Sequence, residues 1–270
     1  MKTLMLFLLT TSLLFLSTGC DELSELCDIQ EDDLQFVETF NAQLNQAIFI
    51  YQISDKALRS EELRTNFSAI IDSALCTLVN DSILIDFGLG TFCPDGKLRK
   101  GSIRMRFEGD YMNSGGTAAI RLFSYSVNEK PYTGDFGLAN ISIIGGNSTI
   151  ALNLMSFTTD TSAISGNVNA EWLDGFHTPD SALDDRYQLS GNLNMGSTIS
   201  SFLLECVVIQ PIVIDQACAY LFESGIFTLS LQEENLSEIT INFIDGDCEN
   251  LFQCTFDCND NLVSFFYPIQ

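Results

Sequence analysis

Hydrophobic positions along the chain fall into three regimes. From Leu4 to Leu16 they run almost unbroken, interrupted only by Thr10, Thr11 and Ser12. From Leu34 to Tyr51 they recur every three or four residues, at Leu34, Val37, Phe40, Leu44, Ala47, Ile48 and Tyr51. That spacing is one stripe of an amphipathic helix, and the acids Glu31, Asp32 and Asp33 suit its positive N-terminal end. A second, shorter helix is predicted over Ser60 to Leu75, with Leu63, Phe67, Ile70 and Ile71 on one side.

After Cys76 the period changes to two. Ile83, Ile85 and Phe87 alternate with Leu84 and Asp86, and Ile103, Met105 and Phe107 alternate with Arg104, Arg106 and Glu108. Alternation of this kind predicts strands with one wet and one buried face. Similar runs cover Ala118–Val127, Ile141–Ile144, Thr149–Phe157, Tyr187–Gly191, Ile199–Val208, Ile212–Phe222, Ile226–Leu231, Ile239–Ile244 and Leu262–Tyr267. Gly, Asn, Asp and Ser separate them, as regular turns would require. The expected class is mainly β: an N-terminal amphipathic helix or helices, then a large antiparallel β meander built as a curled sheet, a sandwich or a half-barrel. The expected segments are 1–19, 20–31, a helical stretch 32–80 packing on the sheet, and a β domain 81–270.

The first regime has a different purpose. A run from Leu4 to Leu16 is too short to span a bilayer, which takes about 20 apolar residues. With Lys2 ahead of it, the run has the form of a secretory signal. Ser17-Thr18-Gly19-Cys20 then places small residues directly before a thiol. This resembles a bacterial lipobox, with Ser17 where an aliphatic residue is usual. The resemblance implies cleavage before Cys20 and lipid on its sulfur, so residues 20–31 become an anchor and tether. Asp21 and Glu22 directly after it resemble the signal that carries Bacteroidota lipoproteins to the outer face of the outer membrane.

Composition narrows the partners. The hydrophobic fraction of 46% permits a substantial core. Twelve Lys and Arg against 36 Asp and Glu give a net charge of −24. Such a field repels phosphate backbones, so nucleic acid is not an expected partner. Lys97, Arg99, Lys100, Arg104 and Arg106 nevertheless cluster, whereas Tyr187 to Gln270 holds no Lys or Arg. The cluster reads as a solvated strand face paired with nearby acids, or as an anion-binding patch.

Nine cysteines are present. With Cys20 lipidated, eight remain, and an even number in an exported chain reads as disulfides. Ile83 to Cys93 echoes Ile239 to Cys248, each a strand, a glycine-bearing turn and a cysteine, with Cys76 and Cys218 upstream. The echo favours Cys76–Cys93 and Cys218–Cys248, each contributing about 2–4 kcal/mol. Cys27, Cys206, Cys254 and Cys258 are left unassigned.

In order along the chain, Ile85-Asp86-Phe87-Gly88, Leu98-Arg99-Lys100-Gly101-Ser102-Ile103, Phe107-Glu108-Gly109-Asp110-Tyr111, Glu171-Trp172, Asp184-Asp185-Arg186-Tyr187 and Gly246-Asp247-Cys248-Glu249-Asn250 resemble a Bacteroidota cell-envelope lipoprotein family of unknown function. The resemblance covers roughly residues 30–270. It implies a β-rich, lipid-anchored envelope protein and no catalytic residues.

Candidate chemistry is sparse. His177 is the sole histidine, and no nucleophile elbow, P-loop or zincin motif occurs. Asp245, Asp247 and Glu249 alternate as hard oxygen ligands that would suit Ca²⁺, although Asn250 stands where an EF-hand loop needs Gly. No other cofactor is expected. The expected role is a non-enzymatic surface binding or interaction module, held at the membrane by its lipid and meeting a protein, glycan or lipid ligand. The alternatives are a carrier of lipid or another apolar ligand in a half-barrel cavity, and a glycan binder or glycan-active enzyme.

Overall fold

The computed structural model describes residues 31–144, 147–179, 181–198, 203–218, 221–231, 238–243, 251–258 and 261–268. Helix α1 spans Glu31–Arg59 and helix α2 spans Glu61–Asn66. Fourteen strands follow: β1 Ser68–Ile71, β2 Ala74–Val79, β3 Ser82–Phe92, β4 Leu98–Glu108, β5 Thr117–Val127, β6 Lys130–Ile144, β7 Asn147–Thr158, β8 Ser162–Asp174, β9 Arg186–Ser197, β10 Leu203–Asp215, β11 Phe222–Leu231, β12 Ile239–Phe243, β13 Leu251–Cys258 and β14 Asn261–Pro268. They form one antiparallel sheet in unbroken sequence order, β1 to β14. The sheet curls without closing, which leaves β1 and β14 as its edges. The expected mainly β meander is therefore what the chain builds, as a curled sheet.

The second expected helix stops early. Ser60 caps α2 by accepting from the Leu63 amide at 3.1 Å, and Phe67 ends it in a left-handed turn. Leu63 is buried, but Phe67 and Ile70 face solvent. The apparent stripe is split between a one-and-a-half-turn helix and edge strand β1. The stretch 32–80 thus holds two strands besides its helices.

Helix α1 lies inside the curl. Its stripe residues Val37, Phe40, Leu44, Ile48 and Tyr51 are buried, as expected. So are Ile50 and Ile53, and so are Asn41, Gln43, Gln46, Gln52, Asp55 and Arg59. The sheet wraps round more than one face of the helix, and its buried polar residues need partners there. Aromatic side chains fill much of the space between. Phe40 meets Phe227 at 5.7 Å, Tyr51 meets Tyr187 edge-on at 5.4 Å, and Phe222 stacks on Phe243 at 4.3 Å.

Bending the sheet this sharply needs breaks in the ladder. Register shifts occur in β3/β4, β4/β5, β5/β6, β6/β7, β7/β8, β8/β9 and along both sides of β10. Bulges of this kind increase local twist and curl a sheet. At the β4/β5 shift Gly101 has φ +79°, and a Cβ there would stand 2.2 Å from the Ser124 carbonyl oxygen. Only glycine fits.

Candidate binding face

Gln43 of the helix bonds Ser162 of β8, and two further polar seams, each built on a buried arginine, tie the helix to the sheet. In the first, Arg59 donates from Nε to Asp55 Oδ2 at 2.6 Å and from Nη2 to Asp185 Oδ2 at 2.9 Å. Its Nη1 donates to the Gly175 carbonyl at 3.0 Å, and its guanidinium lies 4.4 Å from the centroid of the Trp172 ring. The Tyr111 hydroxyl donates to Asp55 Oδ1 at 2.9 Å. Beside this group Trp172 Nε1 donates to the Tyr51 hydroxyl, and Gln52 donates to the Tyr187 hydroxyl. In the second seam Arg99, fully buried, forks onto Asp95 with two 2.7 Å bonds. It also donates to Tyr125 and to Gln46 of the helix, with Phe49 packed against its face at 3.4 Å.

Burial dominates the titration of the first seam. It pushes the Asp185 carboxyl up to about 6, with Arg59 pulling the other way. Burial likewise raises Asp55 against the pull of Arg59. Arg186 holds a more exposed pair of carboxylates, Asp215 and Glu223, whereas Asp55 and Asp185 are a buried pair. Both share the Arg59 guanidinium, and the gap beside them, bordered by Tyr51, Gln52, Trp172, Tyr187 and Gln216, has no room even for a water molecule. Substrate pockets are commonly about 300–1,000 Å³. The arrangement joins helix to sheet and offers no room for a sugar.

The basic cluster splits by strand parity. Arg99 points inward, whereas Arg104 and Arg106 point outward from β4. On the outer face they meet Arg121 of β5, which stands directly opposite Arg104 in register. Arg121 pairs with Asp135, and Arg106 pairs with Asp81. Arg104 has no ion pair among the described residues. Its guanidinium lies 4.2 Å from the centroid of the Phe123 ring. Every other arginine of the chain is paired: Arg59, Arg64, Arg99, Arg106, Arg121 and Arg186. These outward arginines border a groove of about 560 Å³ that crosses β2 to β7, with Val79, Leu84, Phe123 and Met155 supplying apolar walls.

Other expected sites fare differently. Cys76 and Cys93 are buried free thiols, so the expected bond between them is not formed. Cys76 stands opposite Ala69 and Ile85, whereas Cys93 lies beyond the end of β3. Each thiol instead points to a nearby carbonyl, Ala74 and Thr91 respectively. A bridged pair needs Cα atoms within about 7 Å. Cys218 is buried and disulfide-bonded. Its expected partner Cys248 lies outside the described residues. So do the lipidation site Cys20, the tether, and the calcium candidates Asp245, Asp247 and Glu249. Among the described residues no group of three or more His, Cys, Asp or Glu side chains is arranged to hold a metal. His177 packs edge-on against Phe176 at 5.2 Å, beside a pocket of about 140 Å³ lined by Asn147 and Trp172. Comparison with protein-family models, curated proteins and solved structures finds no match.

The outward groove escapes sequence reasoning because its residues come from six strands. The alternation at Ile103–Phe107 was the available signal: it puts Arg104 and Arg106 on one wet face. Nothing local announces that Arg121 lies opposite.

Proposed function

We propose that the protein is a lipid-anchored, non-enzymatic module of the cell envelope that engages its ligand on the outer face of the sheet. The observation that carries this reading is Arg104, the one arginine without an ion pair among the described residues, in an open groove with apolar walls. A cation left unpaired in a chain with 36 acidic residues is not explained by the fold's own stability. The carrier reading needs a ligand in the concave interior. That space holds α1, and vacating it would part Arg59 from Asp185, Asp55 from Tyr111 and Gln52 from Tyr187.

The test places a photoreactive side chain at Met155, on the groove, and separately at the exposed Leu183 as a control, in intact cells. Crosslinks from Met155 and not from Leu183 support the outer face. Equal labelling from both positions, or none from Met155, overturns it. Replacing Cys20 with Ser tests the anchor, since protein that still partitions with membranes is held by something else. Native mass spectrometry that detects a lipid leaving only on unfolding would restore the carrier.

A further inference from the structure

We propose that the outer groove takes an amphiphilic anion: a carboxylate or phosphate-ester headgroup on Arg104, with an apolar body along Val79, Leu84, Phe123 and Met155. The inference rests on the outer-face reading and names the class of ligand.

Charge sets the headgroup. Arg104 and Arg121 are direct cross-strand partners, and like charges directly opposite each other destabilise a sheet. Asp135 compensates Arg121, and Asp81 compensates Arg106. Three guanidinium groups and two carboxylates leave one positive charge, on Arg104. A ligand with a single anionic headgroup answers that charge. A polyanion would meet the field of a chain carrying −24 and gain little from a single cation.

Geometry sets the binding mode. Arg104 Cζ lies over the Phe123 ring, 4.2 Å from its centroid, and among the described residues no carboxylate takes the guanidinium's donors. A guanidinium edge is a planar fork matched to carboxylate and phosphate oxygens.

The floor of the groove sets the body. Ala119 lies there, and Gly137 stands opposite it in register on β6. A Cβ at Gly137 would meet only Asn153 Cβ, at an ordinary 3.7 Å. Packing therefore does not require the small residue, yet the depression is present. Exposed Val79 and Met155 rim it, and a volume of about 560 Å³ lies within the range of small-molecule sites.

The experiment titrates the exported full chain carrying Cys20→Ser with octanoate, octyl phosphate, octanol, inorganic phosphate and octyltrimethylammonium, by calorimetry. Saturable binding is expected for octanoate or octyl phosphate, and whichever binds tighter identifies a carboxylate or a phosphate source. Octanol and inorganic phosphate should each bind at least about tenfold more weakly, as should the preferred anion to Arg104→Gln, since a hydrogen bond to a charged group is lost. Ala119→Phe, which fills the floor from an exposed position, should also weaken binding with an unchanged melting temperature. Equal affinity for octanol or the octyl cation, equal affinity for bare phosphate, unchanged binding by Arg104→Gln, or no binding of either octyl anion overturns the inference. If no octyl anion binds while Met155 still crosslinks, the ligand class is wrong and the outer-face reading stands. If neither occurs, both fall.

Discussion

Arg59 of the helix and Asp185 ahead of β9 meet at 2.9 Å, although 126 residues separate them in the chain. Both are almost wholly buried, and Asp55 takes a second edge of the same guanidinium. Breaking a buried ion pair by removing one member typically costs about 3–5 kcal/mol, because the other charge is left without compensation. Arg59→Met leaves two buried carboxylates and should lie at the upper end of that range. Asp185→Asn keeps an acceptor for Arg59 and should cost less. Urea unfolding checks both, and equal, negligible losses would show that the seam is not holding the helix.

The same carboxylate gives stability a pH dependence with a definite sign. Burial pushes Asp185 up to about 6 from its ordinary 3.8, so the folded state binds its proton more tightly than the unfolded state. Its contribution is full below about pH 3.8 and is lost as pH rises through about 6. Asp55 is raised in the same direction. Asp95, which Arg99 holds below its usual range despite burial, acts in the opposite sense. Stability measured from pH 3.5 to 7 should therefore fall less, or rise more, with pH in Asp185→Asn than in the parent, with the two curves separating across that window. Parallel curves would mean that Asp185 titrates normally.

The sheet was legible where apolar and polar residues alternate cleanly, as in β3, β4 and β5. It was not legible in β8, where Ser165, Gly166 and Asn167 interrupt the apolar pattern, nor at the end of β7, where a bulge after Leu154 resets the parity before Phe157. β13 was hidden in the same way, because Phe252, Cys254 and Phe256 alternate within a stretch that reads as an acidic, cysteine-bearing turn. The helix showed its apolar stripe but not its enclosure. Gln43, Gln46, Gln52 and Asp55 look like a wet face in sequence, and only the curled sheet supplies the partners that bury them. Arg104 and Arg121 are 17 positions apart (121 − 104), and their opposition depends on the register of β4 on β5. Long-range register of this sort has no local sequence signal.

Glycines on the sheet should divide into two groups. Gly101→Ala places a methyl group against the Ser124 carbonyl at a left-handed position, so the bulge must open. A loss well beyond about 1 kcal/mol is expected, since the native backbone conformation is one alanine resists. Gly137→Ala has room and no such backbone constraint, and should leave stability unchanged or raise it by about 0.4–1 kcal/mol. Melting temperatures of the two variants distinguish them. Similar losses in both would mean that the β4/β5 bulge is not rigid.

Free thiols give the last test. Burial pushes Cys76, Cys206 and Cys254 each up to about 12, and raises Cys93 as well. The thiolate is the reactive form, so a buried and protonated sulfur resists alkylation. Iodoacetamide at pH 8 should leave all four unmodified in the folded protein. After unfolding without reductant it should label all four, and peptide mass spectrometry can assign each site. A Cys76–Cys93 bond would block that labelling until a reductant is added, and the peptides joined by it would be lighter by two hydrogens. Pairing of that kind would require the end of β3 to fold back onto β2, against the register in which Cys76 faces Ile85.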